Sequence, residues 1–275
     1  MLLAKISALL FFVTTAPASA QELDATFASR ITQTAGDSAC AHYRWKSRGI
    51  SPNGYPKGMA LSFARSVCRL SSPGSSIRTP AELMSRASTK NASKDALEWY
   101  RTQFETLHLE VDRSGVEALR SLYTLGMGLG MRESSGKYCE GWDRAAGANR
   151  SASQAEAGPF QSSYDSMGAS GELKKLYDEY RKDTSRCQLS TYKEGVTCRA
   201  QDILGKGAGA EFQKLAKSCP AFAAEYAMTS LRVLRKHYGP INRREAEVIQ
   251  SCNQMLEDVQ RIVEQDPFNA CLELL

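Results

Sequence analysis

Three histidines, His42, His108 and His237, are all that the 275 residues contain. None lies near a close pair of cysteines, and no Cys-x-x-Cys occurs. Structural zinc centres are built from such clusters, so no metal is expected, and no motif calls for an organic cofactor. Long apolar runs are missing beyond the first twenty residues. Nothing later approaches the roughly 20 consecutive residues that span a bilayer, so no membrane span is expected. Blocks of Lys and Arg are missing too. The 35 basic and 30 acidic residues leave a formal charge of only +5, and nucleic acid is not an expected partner. Clean apolar–polar alternation is nearly absent, which leaves a mainly α class, and no internal repeat is visible.

The sequence is rich, by contrast, in the marks of export. Residues 1–20 combine a basic start at Lys5, an apolar core over 6–13 and the small-residue site Ala18-Ser19-Ala20. This is the pattern of a cleavable signal peptide, and it predicts a periplasmic or secreted protein. Eight cysteines follow, an even number, and in an exported chain they read as disulfides. Spacing leaves most of the pairing open. The one local expectation is Cys187–Cys198, closing the polar loop between them. The mild basic excess would attract an anionic polymer such as a cell wall only weakly.

Helical periodicity predicts helices over 56–69, 80–86, 91–109, 114–134, 172–182, 208–217, 220–237 and 243–265, with a Ser/Pro/Gly linker over 71–79 and a terminal segment tied down by Cys271. The only extended element expected lies near 157–164. Three regions are anticipated: the signal peptide, an N-terminal helical region over 21–110, and a second domain over 111–275. His108, at the end of a predicted helix, reads as a packed or capping residue rather than a ligand.

The stretch from Ser114 to Ser166 organises the rest. Ser114-Gly-Val-Glu117 matches a capping box. The helix that follows turns small at Gly126, Gly128 and Gly130, which predicts a close neighbour or a ligand approaching the backbone, since each glycine costs about 1 kcal/mol in a helix. It ends on Glu133, before Ser134-Ser135-Gly136. Cleaving a glycosidic bond needs a proton donor to the leaving oxygen. A carboxyl in a partly closed, partly apolar pocket keeps its proton near neutral pH, because burial disfavours the charged form. A helix C-terminus disfavours a negative charge further. A raised glutamate of this kind is the established behaviour of a lysozyme acid.

Glu133-Ser134, followed after a loop by Ala157-Gly158-Pro159-Phe160-Gln161, resembles the lysozyme-like fold of soluble lytic transglycosylases and goose-type lysozymes. Those families carry a Glu-Ser pair at the end of a core helix and a Gly-Leu-Met-Gln-type segment along the cleft; Pro159 and Phe160 replace its middle pair here. The resemblance implies a lysozyme-like helical domain, disulfide-stapled and with extra helices, that acts on the MurNAc–GlcNAc β-1,4 bond of peptidoglycan. It implies Glu133 as general acid, and Ser134, Gly158, Phe160, Gln161 and Tyr164 along the substrate. Tyr226, within Ala-Ala-Glu-Tyr-Ala, is the nearest match to the family's Ala-Tyr-Asn tyrosine. Gly141-Trp142-Asp143-Arg144 is similar to the goose-type segment with a water-activating aspartate, which makes Asp143 a second catalytic candidate, ahead of Glu156 and Asp165. Trp142 and Tyr138 are further candidates for the cleft. Transglycosylase and hydrolase both stay open, with peptidoglycan glycan strands as the partner and a monomer as the expected state. A non-catalytic wall-binding protein on the same scaffold and an unrelated secreted helical effector are the alternatives.

Overall fold

The computed structural model describes residues 25–72, 78–142, 149–198 and 202–275. The proposed signal peptide and Asp143 lie outside these residues. The chain is mainly helical: α1 (Phe27–Asp37), α2 (Gly54–Ser71), α3 (Arg78–Met84), α4 (Ala96–Trp99), α5 (Arg101–Thr106), α6 (Val116–Ser134), α7 (Gly171–Lys182), α8 (Leu189–Tyr192), α9 (Ala208–Ser218), α10 (Pro220–Val233), α11 (Gly239–Asn242), α12 (Gln250–Gln265) and α13 (Pro267–Leu274). A two-stranded antiparallel hairpin, β1 (Arg44–Trp45) and β2 (Gly49–Ile50), precedes α2.

The main core is built on α2, α6, α10 and α12. Almost the whole of α2 is buried, and α1, α3, α6, α8, α10, α12 and α13 all pack on it. Its apolar residues run from Ile31 to Ala270, so the regions before and after residue 110 share one interior. A second, smaller core joins α7, α9 and the start of α10 through Leu173, Leu176, Tyr180, Phe212, Phe222 and Tyr226. Between the two cores, Arg69 is fully buried and ion-paired to Glu179 and Glu225. Burial of a charge is tolerated where it is paired in this way.

The sheet sits elsewhere than expected. The segment 157–164 holds a single bridge, Ala157 to Ser162, because Gly158 and Gln161 both take left-handed backbone angles and fold it into a tight loop. The hairpin forms at 44–50, where Ser47 and Gly49 take the positive φ that a short turn needs. The expected helix over 91–109 is two short helices broken at Tyr100, preceded by a turn at Asn91 and capped by Asp95, whose carboxylate accepts from the Leu97 amide. His108, exposed and left-handed, follows the end of α5. The helix expected over 220–237 stops at Val233 and continues as a 3-10 turn over Arg235–His237. The one expected from 243 begins only at Gln250. The capping box at Ser114 does not form: the Ser114 hydroxyl accepts from Ala87 N instead, and α6 starts from Gly115 without a side-chain cap.

Four disulfides close the described chain: Cys40–Cys252, Cys68–Cys271, Cys139–Cys198 and Cys187–Cys219. The expected pair Cys187–Cys198 is therefore corrected. A 3-10 turn over Thr184–Cys187 directs Cys187 into the second core, where Cys219 ends α9, whereas Cys198 meets the segment that leaves α6. Four disulfides fit an oxidising compartment. Among the described residues, no helix is long and apolar enough to cross a membrane.

Candidate active site

The helix α6 crosses the main core and brings Glu133 to the wall of a cleft of about 770 Å³. Its glycines are where neighbours approach most closely. Ideal Cβ atoms on Gly126, Gly128 and Gly130 would fall 2.3 Å or less from Met228, from the Glu247 backbone and from the Tyr55 hydroxyl, respectively. The helix ends at once after the acid. Ser135 is left-handed (φ 57°) and Gly136 follows at φ 74°, their amides closing on the carbonyls of Met131 and Gly130 at 3.0 and 3.2 Å. The chain then turns back through Tyr138 and Cys139, and the disulfide to Cys198 anchors that return.

Opposite α6 stands the loop 157–162. Gly158 has φ 78°, and a Cβ there would come within 2.6 Å of the Ala216 carbonyl, so glycine is required on both counts. Gln161, left-handed at φ 49°, donates through Nε2 to the carbonyls of Gly158 and Gly141, at 3.0 and 3.1 Å. A non-glycine residue held in this region carries strain, and such residues cluster at functional sites.

Burial is the largest influence on the Glu133 carboxyl and pushes its pKa from 4.5 up to about 8. Glu156, which lines the same cleft, raises it further. Arg243 and Arg48 act the other way without reversing the shift. Glu133 is thus protonated over most of the neutral range, the state a general acid requires. Glu156 is half-buried, 3.6 Å from Arg150 Nη1 and 3.9 Å from His237 Nε2. Burial lowers the pKa of His237, and a hydrogen bond to the Gln161 backbone opposes that only in part; the imidazole is neutral at pH 7. Glu245 is committed to Arg243, at 2.9 Å, and to Arg132, at 3.2 Å, and is held down to about 2, first by the Arg243 hydrogen bond.

The residues singled out from the sequence divide. Glu133, Gln161 and Trp142 line the cleft. Ser134 is turned back into the helix, its hydroxyl donating to the Gly130 carbonyl at 3.0 Å. Phe160 is fully buried behind the wall, 3.0 Å from where a Gly130 Cβ would stand, and Gly158 shapes the loop. Tyr164 packs edge-on against Tyr177 and Phe212, at the rim of the second core. Tyr226 is buried in that core, its hydroxyl bonded to Ser166 Oγ at 2.8 Å, away from the cleft. Asp165 is exposed and also away from it. Tyr138 is buried in the main core.

The arginines of the cleft, Arg48, Arg132, Arg150 and Arg243, and His237 were not found from the sequence. Arg48 arrives on the 44–50 hairpin and donates to the Arg132 carbonyl. Arg243 follows the short helix α11. Arg132 immediately precedes Glu133 on α6; the others come from segments distant in the chain, and only His237, one of three histidines and set beside the Gly239-Pro240 stop, carried a local signal. Among the described residues no cluster of His, Cys, Asp and Glu suits a metal ion.

Comparison of the chain with profiles of known families, with curated proteins and with solved structures returns no match.

Proposed function

We propose that the chain is an exported peptidoglycan-cleaving enzyme that breaks the MurNAc–GlcNAc β-1,4 bond with Glu133 as general acid. The observation that carries this reading is the Glu133 carboxyl itself: it sits at the wall of a large polar cleft and is held by burial in its protonated form up to about pH 8. A carboxylic acid half-buried at the end of a core helix without an ion-pair partner among the described residues is costly to keep, and a cleft beside it gives that cost a use. The proton passes from Glu133 to the glycosidic oxygen as the bond to the anomeric carbon lengthens, so the leaving sugar departs as a neutral alcohol. Gln161 holds the shape of the cleft wall, its side-chain amide bound to the carbonyls of Gly158 and Gly141, and the indole of Trp142, which lines the cleft, offers a face for a sugar ring. The four disulfides support a place outside the reducing cytoplasm.

The test is a digest of insoluble peptidoglycan with the mature protein and with Glu133→Gln, the soluble muropeptides being read by mass spectrometry. Release by the wild type and its loss in the variant, with binding to the glycan retained, is the expected result. Equal background from both proteins would remove the enzyme reading, and binding without release would leave a wall-binding scaffold.

A further inference from the structure

The cleft contains more than one carboxyl group, and their surroundings differ. Glu133 lacks a direct ion-pair partner within 4.0 Å among the described residues and is pushed toward its neutral form by burial. Glu156 lines the same cleft, on the segment leading into the Gln161 loop, with Arg150 at 3.6 Å. A neighbouring cation favours the charged state of a carboxylate. Among the acids around Glu133, Glu156 raises its pKa most, and both side chains line the same cleft. The remaining acids of the cleft among the described residues are less suited to act with Glu133. Glu245 is engaged by two arginines. Glu140 is exposed. Asp202 sits beside Lys217, which donates to its carbonyl.

His237 completes the arrangement. Its Nε2 is buried, makes no hydrogen bond, and lies 3.9 Å from Glu156 Oε1. The same ring bonds the Gln161 backbone and stacks edge-on to Tyr238, whose hydroxyl meets Ser162 Oγ at 3.1 Å. The imidazole therefore packs Glu156 against the strained loop and fixes where its carboxylate stands.

We propose that Glu156 is the second catalytic carboxylate of the cleft, the base that activates a water molecule, and that His237 is its positioning residue. This rests on the glycosidase reading given above. Two carboxyls lining one cleft, Glu133 without an ion-pair partner among the described residues and Glu156 beside the Arg150 guanidinium, match the division of labour that glycoside hydrolysis requires. Glu156 accepts one proton of the water as its oxygen bonds to the anomeric carbon. The bond from that carbon to the bridging oxygen breaks, and the bridging oxygen takes the proton of Glu133. Both carboxyls then exchange protons with solvent, which restores the starting states. Attack from the face opposite the leaving group converts the β bond into an α reducing end.

The experiment follows the product of purified peptidoglycan glycan by mass spectrometry and by NMR of the newly formed anomeric centre. The wild type is expected to yield hydrated reducing ends, initially of α configuration. Glu156→Gln is expected to lower kcat by roughly 10²- to 10⁴-fold, the range of general-base catalysis. In Glu156→Ala, added azide is expected to restore cleavage and appear as an α-glycosyl azide, a readout that loss of structure cannot mimic. His237→Ala is expected to lower kcat by on the order of 10- to 100-fold and to shift the acidic limb of the pH profile, with KM little changed. Anhydro ends, or a β product, from the wild type would overturn the assignment while leaving Glu133 in place, whether or not the variants fold. So would a Glu156→Gln protein within about threefold of wild type. Absence of cleavage by the wild type would overturn the proposal together with the reading beneath it.

Discussion

Tyr55 and Gly130 meet in the interior of the main core, just behind the candidate acid. The Tyr55 hydroxyl donates to the Met127 carbonyl at 2.8 Å, and a Cβ on Gly130 would stand 2.2 Å from that same oxygen. The contact locks α2 against the last turns of α6 and so fixes the depth at which Glu133 emerges. Gly130→Ala should gain about 1 kcal/mol of helix propensity but lose more to overpacking, typically about 1–3 kcal/mol. A net drop in the urea midpoint is expected. Gly171→Ala, at a helix start with open space around it, should leave the midpoint unchanged or raise it.

Proton linkage at Glu133 gives a second expectation. The folded chain holds this proton up to about pH 8, whereas the unfolded chain releases it near 4.5. Between those values the native state binds more protons, so its stability falls as pH rises. Carboxylates with lowered pKa, such as Glu245 and Asp112, work in the opposite direction at acid pH. Glu133→Gln isolates the effect. Relative to wild type, the variant should become more stable from pH 5 to pH 9, by up to about 4 kcal/mol given about 1.4 kcal/mol for each pKa unit, and by less to the extent that solvent screens the half-exposed carboxyl. Denaturation curves at both pH values measure it. Activity of the wild type should fall on the alkaline side with an apparent pKa near 8.

The ion pair of Arg232 and Asp95 joins α10 to the cap of α4. Both side chains are fully buried, the two bonds are 3.0 Å long, and Arg232 also donates to the carbonyls of Met84, Arg86 and Ala87. Asp95→Ala leaves a buried guanidinium without its anion and removes the helix cap. The expected cost is about 3–5 kcal/mol, visible as a large loss in thermal midpoint. Peptidoglycan binding by whatever fraction remains folded should be unaffected, since neither residue touches the cleft.

Removal of Cys139–Cys198 tests the cleft wall. The double Ser variant should lose about 2–5 kcal/mol and should lose activity at temperatures where it is still folded, because the return from α6 is no longer anchored. Removal of Cys187–Cys219, which lies in the second core, should lower stability with less effect on turnover. Peptide mapping without reduction should recover the pairs Cys139–Cys198 and Cys187–Cys219, and none joining Cys187 to Cys198.

Periodicity made the long helices legible. The expected α6, α7 and α9 lie within a few residues of those observed, and the tight packing around Gly126, Gly128 and Gly130 was written in the loss of side chains there. What the sequence concealed was decided by partners distant in the chain. Ser114 looked like a cap until Ala87 arrived to use its hydroxyl. The local cysteine loop was attractive only while the positions of Cys139 and Cys219 were unknown. The cleft behaves in the same way. Glu133 could be read because one helix carries it to its place, but Arg48, Arg150, His237 and Arg243 assemble from a hairpin and several turns whose meeting no local pattern announces. Tyr226 was picked by its neighbours in sequence, yet its buried hydroxyl already serves Ser166.

Two of the disulfides bind residues more than 200 positions apart, Cys40 to Cys252 and Cys68 to Cys271. Neither partner of the early cysteines exists while the first two thirds of the chain are being synthesised. The order of synthesis and the order of oxidation are thus separated: Cys40, in the turn after α1, and Cys68, in α2, wait as open thiols until the final two helices have been made. A chain that stops short of Cys252 would carry two unsatisfied thiols near its start, at Cys40 and Cys68, a chemical flag that distinguishes an unfinished molecule from a finished one.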